Sequence, residues 1–150
     1  MALDVHIPAS FDTEALARHA QELHDRNFNC AQSVACTLAP VMGADEDLCF
    51  RLAEGLGGGL GKHTETCGAL LGGALALGYA RSNGCADPTS KLATYELVSQ
   101  LAADFRAKHG TTTCSELRAQ DSSGKTPMPI CLECIDDALR LSVRILETLR

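Results

Sequence analysis

The chain has 150 residues, a formal net charge of −6, eight cysteines and no tryptophan. This length fits one domain that buries its own hydrophobic core, so disulfide bonds are not required for folding. With 45% apolar and 21% charged residues, the composition excludes disordered and fibrous classes. The net negative charge argues against nucleic acids and anionic membranes as partners.

The cellular compartment decides how the cysteines are interpreted. Residues 1–11 contain no lysine or arginine, unlike the basic start of a secretory signal. The longest small and apolar stretch, residues 67–80, is shorter than the roughly 18 residues typical of a membrane span. We therefore expect a cytoplasmic protein without membrane insertion. In the reducing cytosol, clustered cysteines more often bind metals or carry out redox chemistry than form structural disulfides.

Local signals predict three helices in the first third of the chain. Ser10 or Asp12 can cap the first helix, and Asn29 can cap a second that begins at Cys30. Asp45 opens a third helix, which carries apolar residues at four-residue spacing: Leu48, Leu52 and Leu56.

A glycine-rich stretch, residues 55–61, follows the third helix and predicts a junction between helices. Leu56 stands where a phosphate-binding P-loop requires its first glycine, and the dinucleotide fingerprint also fails. Thr64 or Thr66 can cap a fourth helix that runs from Cys67 to about Tyr79.

The second half of the chain continues the helical pattern. A fifth helix follows Pro88 and ends at Gly110, and its apolar stripe contains Leu92, Tyr95, Val98, Ala102 and Phe105. A short helical turn follows Cys114. The last helix runs from about Cys131 to Leu149, with one apolar face: Ile135, Leu139, Val143 and Leu146. No segment alternates as a strand does. We expect an all-α fold, a compact single-domain bundle of five or six helices over residues 1–150.

Four cysteines share a position at the start of a predicted helix: Cys30, Cys67, Cys114 and Cys131. A helix N-terminus carries partial positive charge and free N–H groups, which lower the pKa of a thiol and favour its thiolate. We therefore predict that the four sulfurs converge on one site, as ligands of an iron–sulfur cluster or another metal ion, with zinc as one candidate.

Other residues are candidate accessories to this site. Cys134 lies one helical turn after Cys131, so either could be the fourth ligand, or the two could form a redox couple. Cys85 and His63 are further accessory candidates, and Gly68 and Gly72 are predicted to line the cofactor. We expect Cys36 and Cys49 to be small buried core residues. The other histidines are predicted to be solvated: His6, His19, His24 and His109.

These motifs resemble the family of redox-active proteins named for a C_GCAxxG_C_C pattern. The resemblance covers about residues 25–148 and runs through residues 29–32, the glycine stretch, the segment Cys67-Gly68-Ala69-Leu70-Leu71-Gly72 and the two later cysteines. The family's four characteristic cysteines correspond to Cys30, Cys67, Cys114 and Cys131. The resemblance implies a redox-active or metal-binding protein without a settled reaction. Because no histidine follows Cys134, haem attachment through a CxxCH motif is excluded.

Three hypotheses remain open at this stage. The first is a thiolate-bound cluster or metal used for electron transfer or redox sensing. The second is thiol–disulfide chemistry by a cysteine pair, either Cys131–Cys134 or Cys30–Cys67. The third is a non-catalytic interaction protein, or a homo-oligomer, with structural cysteines. Whether the chain is an enzyme, and which redox partner it serves, stay open.

Overall fold

The computed structural model describes residues 4–149 as an all-helical fold. Residues 1–3 and 150, which the predicted domain includes, lie outside the described residues. The prediction of an all-α fold is confirmed. The described chain forms seven α-helices, above the predicted five or six: α1 (Thr13–Asp25), α2 (Cys30–Val41), α3 (Glu46–Glu54), α4 (Gly68–Arg81), α5 (Lys91–His109), α6 (Cys114–Ala119) and α7 (Pro129–Leu146).

The first three helices begin where local side chains cap them, as predicted. The carboxylate of Asp12 accepts a hydrogen bond from a backbone N–H in the first turn of α1, and Asp45 does the same for α3. Asn29 and Gln32 form a reciprocal capping box at the start of α2, with both N···O distances at 2.9 Å. Such caps satisfy N–H groups that have no partner within the helix.

α4 begins within one residue of the predicted start at Cys67, but its predicted cap was wrong. Neither Thr64 nor Thr66 caps this helix, because Cys67 itself is the N-cap residue and no side chain accepts a hydrogen bond there. At this helix start, the N–H of Cys67 instead donates a hydrogen bond to the carbonyl of Thr112, which is distant in the sequence.

Glycines bring α4 close to its neighbours. The most extensive helix–helix contact is between α2 and α4. A Cβ atom at Gly72 would overlap the backbone carbonyl oxygen of Ala31 on α2, and one at Gly73 would overlap Oγ of Ser142 on α7. These two glycines thus let the backbone of α4 approach two helices at distances that no larger residue permits.

The buried face of α3 is shifted by one residue from the predicted one. Leu48 and Leu52 are 54% and 62% exposed, whereas Cys49 and Ala53 are 4% and 0% exposed. The buried pair has the same four-residue spacing as the predicted one. Small residues face the closely packed α2, so the larger leucines are turned outwards.

Only Phe105 of the predicted stripe of α5 is fully buried, whereas Val98 and Ala102 are half-buried and Leu92 and Tyr95 are 70% and 58% exposed. Leu101, which the prediction left out, is the other fully buried residue of this helix. The predicted face of α7 is confirmed, since Ile135, Leu139, Val143 and Leu146 are all buried. Within residues 4–149, no helix combines the length and the apolar character that a membrane span requires.

Candidate functional site

Five cysteines line one cavity of about 210 Å³ with largely apolar walls: Cys30, Cys67, Cys114, Cys131 and Cys134. The first four belong to four different helix starts. Cys30 is the first residue of α2, Cys67 is the N-cap of α4, Cys114 is the first residue of α6 and Cys131 is the third residue of α7. The cavity therefore lies where four helix N-termini meet.

Two of these helix starts are held side by side by backbone pairing. Thr66 and Thr113, which precede Cys67 and Cys114, form an isolated antiparallel β-bridge. The N–H of Cys67 donates to the carbonyl of Thr112 at 2.8 Å, and the N–H of Cys114 donates to the carbonyl of Glu65 at 2.6 Å. This pairing places the first turns of α4 and α6 next to each other.

The glycine-rich segment forms one wall of the cavity. Gly58 and Gly59 line it in left-handed conformations, with φ values of 62° and 54°. A Cβ atom at Gly59 would lie 2.8 Å from Sγ of Cys114, and one at Gly68 would overlap Sγ of Cys30. Glycine is required at these positions because the backbone runs directly beside two of the sulfurs.

The candidate accessory residues divide into two groups. Cys134, Gly68 and His63 line the cavity, and Nδ1 of His63 lies 3.8 Å from Sγ of Cys114. Cys85 is exposed on the turn before α5 and does not line the cavity. Gly72 also lies outside the lining, since it faces the backbone of α2.

Cys67 and Cys134 form a hydrogen-bonded pair of buried thiols. The hydrogen bond from the thiol of Cys134 lowers the pKa of Cys67 to about 7, with further help from the N–H groups of Leu70 and Ala69, although burial opposes the shift. The same hydrogen bond raises the pKa of Cys134, because its thiol must keep the proton that it donates. Cys67 is therefore the thiolate that forms most readily in the cavity.

The other three cysteines have raised pKa values, so the lowering expected at a helix start is wrong for them. Burial is the largest cause at Cys30, Cys114 and Cys131, and it raises the pKa of Cys131 to about 11. Negative charge on neighbouring site cysteines raises all three further. A bound cationic centre would remove this repulsion and keep all of them as thiolates.

The pKa of Cys67 leads to a titration prediction for the reduced, metal-free protein. We expect an ultraviolet thiolate absorbance step near pH 7, which Cys134→Ala moves to higher pH by removing the hydrogen-bond donor. The lowered pKa stabilises the fold above the ordinary thiol pKa of about 8.5, and this contribution is lost as the pH falls through about 7. Cys85→Ala is the matched control and should leave the step in place. An unchanged step in Cys134→Ala would contradict the prediction.

The residues of the cavity suit a thiolate-bound group. Within residues 4–149, the side chains of His, Cys, Asp and Glu form no group of three or more that is arranged to hold a metal ion. The donor set is nevertheless the soft thiolate set that iron–sulfur centres and zinc prefer. The absence of side chains at Gly59 and Gly68 lets the sulfurs of Cys114 and Cys30 pack directly against the backbone. A buried ring nitrogen of His24, which also lines the cavity, has no hydrogen-bond partner.

The comparison with protein families shows which family the chain belongs to. A family model described as "Putative redox-active protein (C_GCAxxG_C_C)" matches residues 28–145. The chain belongs to this family. The C_GCAxxG_C_C match includes all five cysteines of the cavity and confirms the resemblance found in the sequence. No curated protein and no solved structure matches the chain.

The C_GCAxxG_C_C chain also contains cavity residues that the sequence analysis missed. His24 was predicted to be solvated, yet it lines the cavity from the last turn of α1, together with Leu117 and Arg118 of α6. No cysteine or glycine motif surrounds His24, so nothing in the sequence pointed to it. His109 is also buried rather than solvated, because it pairs with Asp137 at 2.8 Å.

The remaining two cysteines form a separate buried pair. Cys36 and Cys49 are 2% and 4% exposed, which confirms their prediction as core residues. The two side chains are hydrogen-bonded to each other between α2 and α3, and this contact raises the pKa of Cys36 and lowers that of Cys49. Neither residue lines the cavity.

Proposed function

We propose that the chain holds an iron–sulfur cluster in the five-cysteine cavity and uses it for electron transfer or redox sensing. Cys30, Cys67, Cys114 and Cys131 are the proposed ligands. The observation that carries this proposal is that four cysteines, far apart in the sequence, all line one cavity from the first turns of four helices.

The size of the cavity favours a cluster over a single ion. Four thiolates that bind one zinc ion at about 2.3 Å in a tetrahedron lie roughly 3.8 Å from one another and leave no space between them. The five cysteines instead line, together with nine other residues, a cavity of about 210 Å³. A group with several metal atoms fits such a space better than one ion does.

The surroundings of the cavity favour an anionic group. The N–H groups of Gly58 and Ala31 interact with the sulfur of Cys30, and those of Ala69 and Leu70 interact with the sulfur of Cys67. Such hydrogen bonds to sulfur, together with helix dipoles and burial, set the reduction potential of iron–sulfur proteins. When bound, the cluster would supply a site for one-electron transfer. The protein's part is to hold the thiolates, exclude water and stabilise negative charge.

The test is analysis of metal and sulfide in protein purified without oxygen from iron- and zinc-replete cells. We expect iron and acid-labile sulfide in fixed ratio to protein, a visible absorption band that bleaches on reduction, and an EPR signal in one oxidation state. Zinc without iron would overturn the cluster in favour of a zinc site. Colourless, metal-free protein would overturn metal binding altogether.

A second candidate function is thiol–disulfide exchange, which is favoured by the hydrogen bond between Cys67 and Cys134. In this scheme, the Cys67 thiolate attacks a sulfur of a substrate disulfide and releases one thiolate. Cys134 then gives its proton to the released thiolate, attacks the sulfur of Cys67 and releases the second half of the substrate as a thiolate, which leaves a Cys67–Cys134 disulfide. This pairing differs from both couples that the sequence analysis considered.

The exchange hypothesis is tested by titrating metal-free protein with a small-molecule disulfide and mapping the product by mass spectrometry. We expect a reversible Cys67–Cys134 bond to form before any other. Oxidation that begins at Cys85 alone would reject the hypothesis, since that thiol is merely exposed.

A further inference from the structure

His63 contacts the cavity from the surface of the protein. Among the described residues that line the cavity, only His63 is exposed. Its Nδ1 atom lies 3.8 Å from Sγ of Cys114. Its backbone has a φ of 63°, a left-handed conformation that residues with a Cβ atom adopt rarely. Because such strained residues cluster at functional sites, the contact with Cys114 is a candidate for a role in the chemistry of the site.

Backbone hydrogen bonds hold the segment of His63 against that of Cys114. The N–H of His63 donates to the carbonyl of Gly58 at 2.9 Å, which closes the left-handed turn. Two residues after His63, the carbonyl of Glu65 accepts from the N–H of Cys114 at 2.6 Å. The backbones of His63 and Cys114 are therefore held next to each other, although the imidazole itself is exposed.

The sulfur of Cys114 has fewer partners than those of Cys30 and Cys67. Backbone N–H groups lower the pKa of both Cys30 and Cys67. Within residues 4–149, the influence that lowers the pKa of Cys114 is the charge of Arg118, and burial outweighs it. Cys114 is therefore a neutral thiol in the metal-free protein, and a thiol sulfur forms only weak hydrogen bonds. This explains why its contact with His63 is as long as 3.8 Å.

A bound cluster would change the character of this contact, because a cysteine that ligates a metal is a thiolate. A thiolate has no proton to donate, so a hydrogen bond between the two side chains then requires the N–H of Nδ1 as the donor. Hydrogen bonds to a charged acceptor are shorter and stronger than those between neutral groups. We therefore expect the contact between His63 and Cys114 to tighten when the site is filled.

We propose that Nδ1 of His63 donates a hydrogen bond to the thiolate of Cys114 and thereby raises the reduction potential of the cluster. This inference rests on the proposed iron–sulfur cluster. Reduction adds negative charge, part of which lies on the ligand sulfurs. A donor to one of these sulfurs stabilises the reduced state more than the oxidised state.

The test compares His63→Gly with His63→Asn after anaerobic reconstitution with ferrous iron and sulfide. Glycine and asparagine both tolerate a left-handed backbone, so neither substitution adds strain. Asparagine keeps an N–H donor near the position of Nδ1, whereas glycine has no side chain. Iron and sulfide content are measured first, and the midpoint potential is then determined by an EPR-monitored titration.

Leu60→Gly is the matched control for relief of backbone strain. Leu60 belongs to the same segment and is also left-handed, with a φ of 54°, but it does not line the cavity. We expect all three variants to bind as much iron as the unmodified protein. The midpoint potential of His63→Gly should shift to more negative values, whereas His63→Asn and Leu60→Gly should stay close to the unmodified protein. If circular dichroism shows that His63→Gly is unfolded, His63→Ala replaces it, because alanine also lacks a donor.

The outcomes separate the role of His63 from the cluster itself. An unchanged potential in the variant without a donor overturns the role of His63 while the cluster stands. A shift of equal size in His63→Asn or Leu60→Gly also overturns it, since loss of the donor then does not explain the effect. Loss of iron in a folded His63 variant makes His63 a ligand and overturns its role as a donor. If the unmodified protein takes up no iron, the cluster proposal fails and the role of His63 fails with it.

Discussion

Replacing Cys30, Cys67, Cys114 or Cys131 with serine is expected to remove most of the iron bound by anaerobically purified protein. Each substitution takes away one proposed thiolate ligand. Removing a residue that only hydrogen-bonds to a metal ligand already lowers the metal affinity by about 10–100-fold. Removing a ligand itself should lower the affinity further. Iron per protein and visible absorbance measure the effect, and circular dichroism verifies that each variant is folded.

The chain offers a matched control in Cys85→Ser, which changes an exposed cysteine outside the cavity and should leave the iron content unchanged. Cys134→Ser distinguishes the two candidates for the fourth ligand. If Cys134→Ser loses iron and Cys131→Ser does not, the ligand role passes to Cys134. Full iron content in all four single variants would refute the proposed ligand set.

Gly72→Ala is expected to destabilise the fold by about 1–3 kcal/mol, the usual cost of overpacking a core. The added Cβ atom would overlap the carbonyl oxygen of Ala31 and lie 3.1 Å from its carbonyl carbon. Both atoms belong to the backbone of α2, so neither can rotate away as a flexible side chain would. Urea denaturation measured by circular dichroism gives the change in the free energy of unfolding.

Gly78→Ala is the matched control on the same helix. A Cβ atom there would approach only Cγ2 of Thr94, at 4.0 Å. Because glycine destabilises a helix interior relative to alanine, this variant should gain roughly 0.5–1 kcal/mol. If the two variants change stability equally, close packing of α2 against α4 does not explain the requirement for Gly72.

Helix starts could be predicted wherever the signal lies within a few residues. Asp12, Asn29 and Asp45 each cap a helix through a side chain that accepts from an N–H three residues later. The cap of α4 could not be predicted in this way, because no side chain accepts a hydrogen bond there and the N–H of Cys67 donates to the carbonyl of Thr112, which is distant in the sequence.

Helix faces were predictable where large apolar residues repeat and face the core, as on α7. On α3 the prediction chose Leu48 and Leu52, but close packing against α2 favours the smaller Cys49 and Ala53. Periodicity indicates that a helix has one buried face. When two faces carry apolar residues of different size, the distance to the neighbouring helix determines which of them is buried.

The sequence by itself determined the helical class, the family and the position of four cysteines at helix starts, because periodicity, caps and a motif are local properties. Only the tertiary structure decided that these cysteines share one cavity, that Cys67 pairs with Cys134 and that His24 lies beside them. Each of these relations joins segments distant in the chain. They depend on how glycines let α4 approach its neighbours and on the backbone pairing between Thr66 and Thr113.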